Sequence, residues 1–351
     1  MRILFALVFL IAGSIQSVQA GVTNPNISAI GQLLGAYTDD STSASPNQPT
    51  LELGETELMF EAALNPYFNG AIVLSLATDG VEIEEAYTTM IKGLPLNMAL
   101  KGGKYRVGFG RLNPAHPHTY PFIRTPRVMD PSMGQLLPGE ESFNETGVQA
   151  SSLIPVAGSY SLLLSGDLLQ GNSFHPDTTT ADFGWIGRIV NSFVLGDDIA
   201  PSELGFSIAQ GTNDPANGTK ALILGADLKS RIALSATLKM TVQGEYVYKN
   251  AEHIDALSMI SHEKRGGFYA FADARSANHF NGGLLYEQYQ APDDADKTDR
   301  AIKPFIGYAV LEESTLLQLT YEYFIPHDQA GVNSVELQLI YSMGPHKAHQ
   351  F

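Results

Sequence analysis

The sequence predicts an all-β fold: a transmembrane antiparallel β-barrel of about 16 strands, with a long inward-folded loop between the fifth and sixth strands. Three observations carry this expectation. Apolar and polar residues alternate with period two through long segments. The joints between those segments alternate between long and short. The first residues read as a secretion leader.

In chain order, Met1-Arg2 supplies a positive start and Ile3 to Gly13 an apolar run, followed by Val18-Gln19-Ala20 as a cleavage signal. The run falls short of the roughly 20 residues that span a bilayer as a helix. Residues 1–20 are therefore expected to be a signal peptide and 21–351 the barrel. Strands are expected at 27–37, 50–65, 68–78, 81–90 and 96–110, then at 145–155, 159–170, 182–195, 202–211, 219–230, 233–249, 265–275, 279–290, 302–312, 315–325 and 333–344. The alternation is clearest near the C-terminus. Leu238, Met240, Leu319, Tyr321, Leu337 and Leu339 should face lipid, and Lys239, Thr241, Gln318, Thr320, Glu336 and Gln338 the lumen, because successive strand side chains point to opposite faces. A β-sandwich also alternates, but its strands run nearer roughly 5–6 residues. Long strands with charges at their middles fit a membrane barrel better.

The joints at 39–48, 112–144, 171–181, 250–264 and 291–300 are long and polar, whereas 66–67, 156–158, the turn near Arg231, 276–278 and 313–314 are tight. Outer-membrane barrels show this asymmetry, with short periplasmic turns and longer external loops. An even strand count places both termini on the periplasmic side.

Composition removes several function classes. Lys and Arg total 21 against 37 Asp and Glu, a net charge of -16, which excludes a basic face for nucleic acid. Cysteine is absent, so disulfide scaffolds, thiolate metal sites and cysteine nucleophiles are excluded. No Gly-x-Ser-x-Gly elbow or serine–histidine pair points to hydrolysis, and no enzyme activity is expected. The acidic run Asp293, Asp294, Asp296 and Asp299 reads as a solvated external loop that could gather cations at lipopolysaccharide.

The joint 112–144 carries prolines at 114, 117, 121, 126, 131 and 138 and apolar anchors Phe122, Ile123, Val128 and Met129. That composition suits a segment packed against the inner wall, narrowing a lumen too wide for wall side chains to fill. In the strand before it, Tyr105, Val107 and Phe109 share a face and are expected to meet lipid, which turns Lys104 and Arg106 inward. With Arg111, Arg124 and Arg127 they could form a positive patch at the constriction, giving weak anion preference or none. The competing reading is that the arginines pair with Glu140, Glu141 and Glu145 to pin the loop, and the two roles can coexist. His116 and His118 flank Pro117 and project to one side of an extended segment, as metal ligands would. A zinc site needs three or four ligands, and the other histidines, at 175, 253, 262, 279, 327, 346 and 349, are scattered. The pair is a weak metal candidate, and no cofactor is expected.

Several stretches carry a resemblance: Asn24-Pro-Asn-Ile-Ser-Ala-Ile-Gly31, Asn65-Pro-Tyr67, Glu84-Glu-Ala-Tyr87, Lys104 to Pro114 with His116-Pro-His118, and Asn144-Glu-Thr-Gly-Val-Gln149. In this order and spacing the chain resembles a family of porin-like bacterial outer-membrane barrels, often labelled zinc-regulated or TonB-dependent outer-membrane receptors. The resemblance spans nearly the whole chain after the leader and implies an outer-membrane location. An energised receptor needs a plug within a 22-stranded barrel, for which the residues before Ile27 leave no room. The expected function is an outer-membrane channel for passive or weakly selective diffusion of small hydrophilic solutes or ions. The alternatives are a surface-displayed binding protein or adhesin, or a metal-uptake receptor, built on the same barrel. Outer-membrane lipid, lipopolysaccharide and small hydrophilic solutes are the expected partners. A homo-oligomer remains open.

Overall fold

Among the described residues, seventeen strands form one continuous antiparallel sheet that closes on itself. The computed structural model describes residues 25–77, 80–140, 142–175, 182–194, 201–255, 257–310 and 314–344. The expected signal peptide lies outside the described residues. The strands are β1 (Asn26–Thr38), β2 (Thr50–Leu53), β3 (Thr56–Asn65), β4 (Phe68–Ala77), β5 (Gly80–Met90), β6 (Met98–Arg106), β7 (Asn144–Ala157), β8 (Tyr160–Leu169), β9 (Gly184–Phe193), β10 (Ser202–Asp214), β11 (Thr219–Ala233), β12 (Leu238–Ile254), β13 (Ile260–Ser276), β14 (Phe280–Gln290), β15 (Thr298–Ala309), β16 (Thr315–Ile325) and β17 (Val332–Met343).

β2 and β3 both pair with β1, β2 through Leu33↔Leu53 and β3 through Ala29↔Leu58, so they are one wall strand interrupted at Gly54-Glu55. The barrel therefore has sixteen staves, as the alternation predicts. β17 closes it against β1, with Ala29 opposite Met343 and Thr38 opposite Ser334. Closure leaves no open edge, which lipid requires because it cannot hydrogen-bond free backbone groups.

The outer surface is apolar. Leu317, Leu319, Tyr321, Leu337 and Tyr341 are exposed on it, while Gln318, Thr320 and Gln338 are buried inside. In this stretch the predicted facing and the observed facing agree.

The buried core lies inside the barrel, where the joint between β6 and β7, residues 107–143, folds into the lumen. Phe122, Ile123, Val128, Leu136 and Phe143 from this loop are all at most 2% exposed. Phe122, Val128, Leu136 and Phe143 share one core with wall residues such as Leu169, Ile186, Ile223, Tyr269, Phe271, Leu285 and Phe305. Phe122 stands edge-on to both Phe271 and Phe305, with ring centroids 5.3 and 5.6 Å apart.

This packing corrects one expectation. Tyr105, Val107 and Phe109 are fully buried and point into the lumen. Lys101 lies on the same inner side, its ammonium 5.0 Å from the Tyr105 ring. Lys104 is consequently on the outer face, donating to the Ile83 carbonyl at 2.8 Å. Reading every apolar face as lipid-facing fails here because the lumen opposite β6 is dry: the loop fills it with side chains. The strand also ends at Arg106, earlier than predicted, since the backbone turns inward directly after it. Gly110 takes φ +62° in that turn with the Glu245 carboxylate against it, a place where a side chain would collide.

Candidate pore and inner loop

The loop is tied at its own neck and then to wall strands around the barrel. Asn113 donates to the carbonyls of Val107 and Phe143, both at 2.9 Å, and accepts from the Phe143 amide, fastening the loop's start to its end. Glu245 of β12 accepts the amides of Arg111 and Leu112 at 2.9 and 2.7 Å. Glu287 of β14 accepts the Val128 amide at 3.0 Å, and Thr320 of β16 the Ile123 amide at 3.2 Å. Arg265 of β13 donates to the carbonyls of Gly134 and Gln135. Wall side chains thus satisfy the backbone groups of an irregular segment, which a buried loop requires.

Arg106, at the end of β6, and each arginine of the loop meet a wall carboxylate. Arg106 pairs with Glu84 of β5 at 2.5 Å, and Arg111 with Glu203 of β10 at 2.5 Å and Asp227 of β11 at 3.3 Å. Arg127 pairs with Glu322 of β16 at 2.5 Å, which also accepts Lys303 of β15 at 2.6 Å. Arg124 binds Glu336 of β17, and at 52% side-chain exposure it is the most open of these cations. The expected acidic partners are elsewhere. Glu140 is exposed, Glu145 is buried and accepts the Ser173 amide at 2.7 Å, and Glu141 lies outside the described residues. The carboxylates that do the pairing were missed because most come from strands far away in sequence, as in Arg111 with Asp227, 116 positions on. Their one sequence signal was an acidic residue on a polar strand face.

Two cavities flank the segment 117–125. One, of about 790 Å³, opens among the ends of β1, β16 and β17 that carry the long joints. Arg106, Arg124, Arg127 and Lys303 line it together with Asp40, Glu52, Glu55, Asp130, Glu322 and Glu336. The other, of about 260 Å³, lies toward the short turns, bounded by His118, Tyr120, Arg275, Asn281 and Gln318. β1, β16 and β17 border both, so the open side of the lumen runs along this wall while the loop fills the side under β7–β14.

Between the cavities sits the histidine pair. Pro117–Thr119 form a 3-10 turn that brings His116 and His118 together, with ring centroids 5.5 Å apart. His116 lies between Glu85, 2.8 Å from Nε2, and Glu57, 3.3 Å from Nδ1, while His118 Nδ1 is 3.0 Å from Glu57. Burial opposes charging of His116, but its hydrogen bonds to the accepting carboxylates of Glu57 and Glu85 outweigh it and push the imidazole up to about 10. Glu84 and Glu85 both reach the lumen because β5 bulges against β4: Val73 pairs with Glu85 and Leu74 with Ile83, leaving Glu84 as the extra residue.

No family model matches the chain. Solved structures do match it in shape. An anion-selective porin from Comamonas acidovorans superposes with a TM-score of 0.63 at 10% identity, covering 91% of this chain and 99% of the porin. The outer membrane channel DcaP of Acinetobacter baumannii gives 0.60 at 13% identity, over 91% and 97% of the two chains. The Salmonella typhi OmpF complex with daunomycin gives 0.60 at 9% identity, over 91% and 98%. The fold is that of an outer-membrane porin. The porin-like part of the sequence resemblance agrees with it; none of these three is described as zinc-regulated or as a TonB-dependent receptor. One curated relative, an uncharacterized protein of Aquifex aeolicus (strain VF5), is 29% identical over 261 residues, which are 67% of this chain and 53% of that protein. The chain thus spans about half the length of the relative it matches. The porin barrel described here differs from an open tube in the thickness of its inner loop, which builds a hydrophobic core of its own.

Proposed function

We propose that this porin barrel is an outer-membrane diffusion channel for small hydrophilic solutes or ions. The supporting observation is the 790 Å³ cavity inside a closed barrel, lined by fixed charges of both signs along the one wall that the loop leaves open. Charged linings of this kind set which ions pass. Every arginine of the loop is neutralised by a carboxylate, and the lining carries four basic against six acidic groups. The passage is therefore weakly selective, tipped toward cations, where the arginines alone suggested weak anion preference or none.

Purified, refolded protein in planar bilayers tests this. Small, stepwise conductance with a reversal potential modestly on the cation side is expected under a salt gradient. A correctly folded barrel, with heat-modifiable migration on a gel, that never conducts would transfer support to the surface-binding reading.

A further inference from the structure

We propose that Glu57, His116 and His118 form a binding site for one divalent transition-metal ion, with Glu84 as the fourth donor. The site does not depend on whether the barrel conducts. One donor atom from each of Glu57, His116 and His118 lies within 4.8 Å of the others. The separations among these three match a coordination shell: His118 Nδ1 to Glu57 is 3.0 Å and His116 Nδ1 to Glu57 is 3.3 Å; the Glu84 oxygen 3.5 Å from His116 Nδ1 is Oε1, which also holds Arg106. In a tetrahedron with bonds of roughly 2.0–2.1 Å, neighbouring ligand atoms stand about 3.3 Å apart. The ion would sit among these facing ligand atoms.

The second imidazole nitrogen of His116 supports the assignment. Its Nε2 meets the Glu85 carboxylate at 2.8 Å, leaving Nδ1 turned toward Glu57 and Glu84. A ligating histidine held through its other ring nitrogen by a carboxylate is the usual arrangement around protein-bound metals, since it fixes the tautomer and raises ligand basicity. Glu84 adds an independent sign. Its Oε1 is taken by Arg106, but its Oε2 is buried without a hydrogen-bond partner. Glu55, Glu57 and Glu84 form a second such group of donors within 4.8 Å of one another. The carboxylates of Glu55, Glu57, Glu84 and Glu85 thus outnumber the cations among them, Arg106 and His116.

Three separate elements converge to build the site: the 3-10 turn of the loop, β3 and the bulge of β5. Access exists from both sides, because Glu55, Arg106 and Pro117 line the larger cavity and His118 the smaller. Two imidazoles with carboxylates select borderline ions such as Zn²⁺, Co²⁺ or Ni²⁺ over Ca²⁺ and Mg²⁺, which take oxygen ligands.

Tag-free, refolded full-length barrel, stripped of metal, is titrated with Co²⁺ and followed by visible absorption, then competed with Zn²⁺. One Co²⁺ per barrel is expected, with nitrogen-ligand bands that Zn²⁺ abolishes and excess Ca²⁺ does not. Glu85→Gln should weaken binding by about 10–100-fold while leaving the ligands in place. The double substitution His116→Gln/His118→Gln should abolish the bands, and His262→Gln, on a distant strand, should change nothing. Heat-modifiable migration establishes that each variant is folded. Folded wild-type protein without these bands overturns the site on its own. So does equal Co²⁺ affinity in the double variant, which would assign the ion to the carboxylates alone.

Discussion

Glu245 concentrates three donors on one buried carboxylate: the amides of Arg111 and Leu112 and the hydroxyl of Tyr269. Replacing it by alanine leaves two buried backbone N–H groups without partners, at about 1–3 kcal/mol each. Glu245→Ala should therefore loosen the start of the loop while sparing the barrel. Faster hydrogen exchange at 110–112, with unchanged heat-modifiable migration, is the expected result, and Glu245→Gln should lose less. Arg124 is the residue best placed to report on permeation, because its side chain is half exposed at the larger cavity. Arg124→Ala frees Glu336 and should move the reversal potential further toward cations; an unchanged potential would place the conducting path elsewhere. Sequence reading found these arginines but not their partners. Residue type and local spacing show that a guanidinium needs an anion, whereas which anion depends on how the sheet closes.

At the scale of elements, the strands were legible and the loop only partly so. Period two is a local property, and so is the polarity of a joint, so the strands and the long joint could be read from short windows. The reversal of β6 could not, because it follows from what fills the lumen opposite Tyr105, Val107 and Phe109. Phe122 tests how the loop is held. It fills the space between Phe271 and Phe305, and Phe122→Ala should cost about 3–5 kcal/mol of loop docking. Protease cleavage within 117–129 should rise, and conductance with it. The external joints carry a pH-dependent clasp of their own. His327, between β16 and β17, is raised above its usual range, first by its hydrogen bond to Asp299 and further by the charges of Asp293 and Asp299, against burial and Lys297. A raised pKa means its contribution is complete below about pH 6.5 and is lost as pH climbs through the raised value. Amide protection in 326–331 should fall as pH rises above about 6.5, and His327→Gln should flatten that dependence.

For the molecule as a whole, closure decides stability, and both faces of the sheet are committed to different solvents. Leu319 points to lipid, so Leu319→Arg near the bilayer middle should destabilise the barrel by about 2–4 kcal/mol, with Thr241→Arg, on the lumen side near the short turns, costing far less. Urea-induced unfolding in lipid vesicles reads the difference, and equal losses would overturn the facing assignment. β17 carries the stronger test. It forms ten register pairs with β1 and ten with β16, so it is the last stave that lets the first meet the rest. Removing residues 332–344 exposes the backbone groups of β1 and β16 to hydrocarbon, where each unpaired group costs several kcal/mol. No rearrangement of the remaining staves recovers this cheaply, because the inner loop is bonded to β5, β10–β14 and β16 and fixes the diameter around its own core. The truncated chain should therefore fail to insert altogether, giving neither heat-modifiable migration nor conductance, and a truncated chain that inserted and conducted would show that the barrel closes by another pairing.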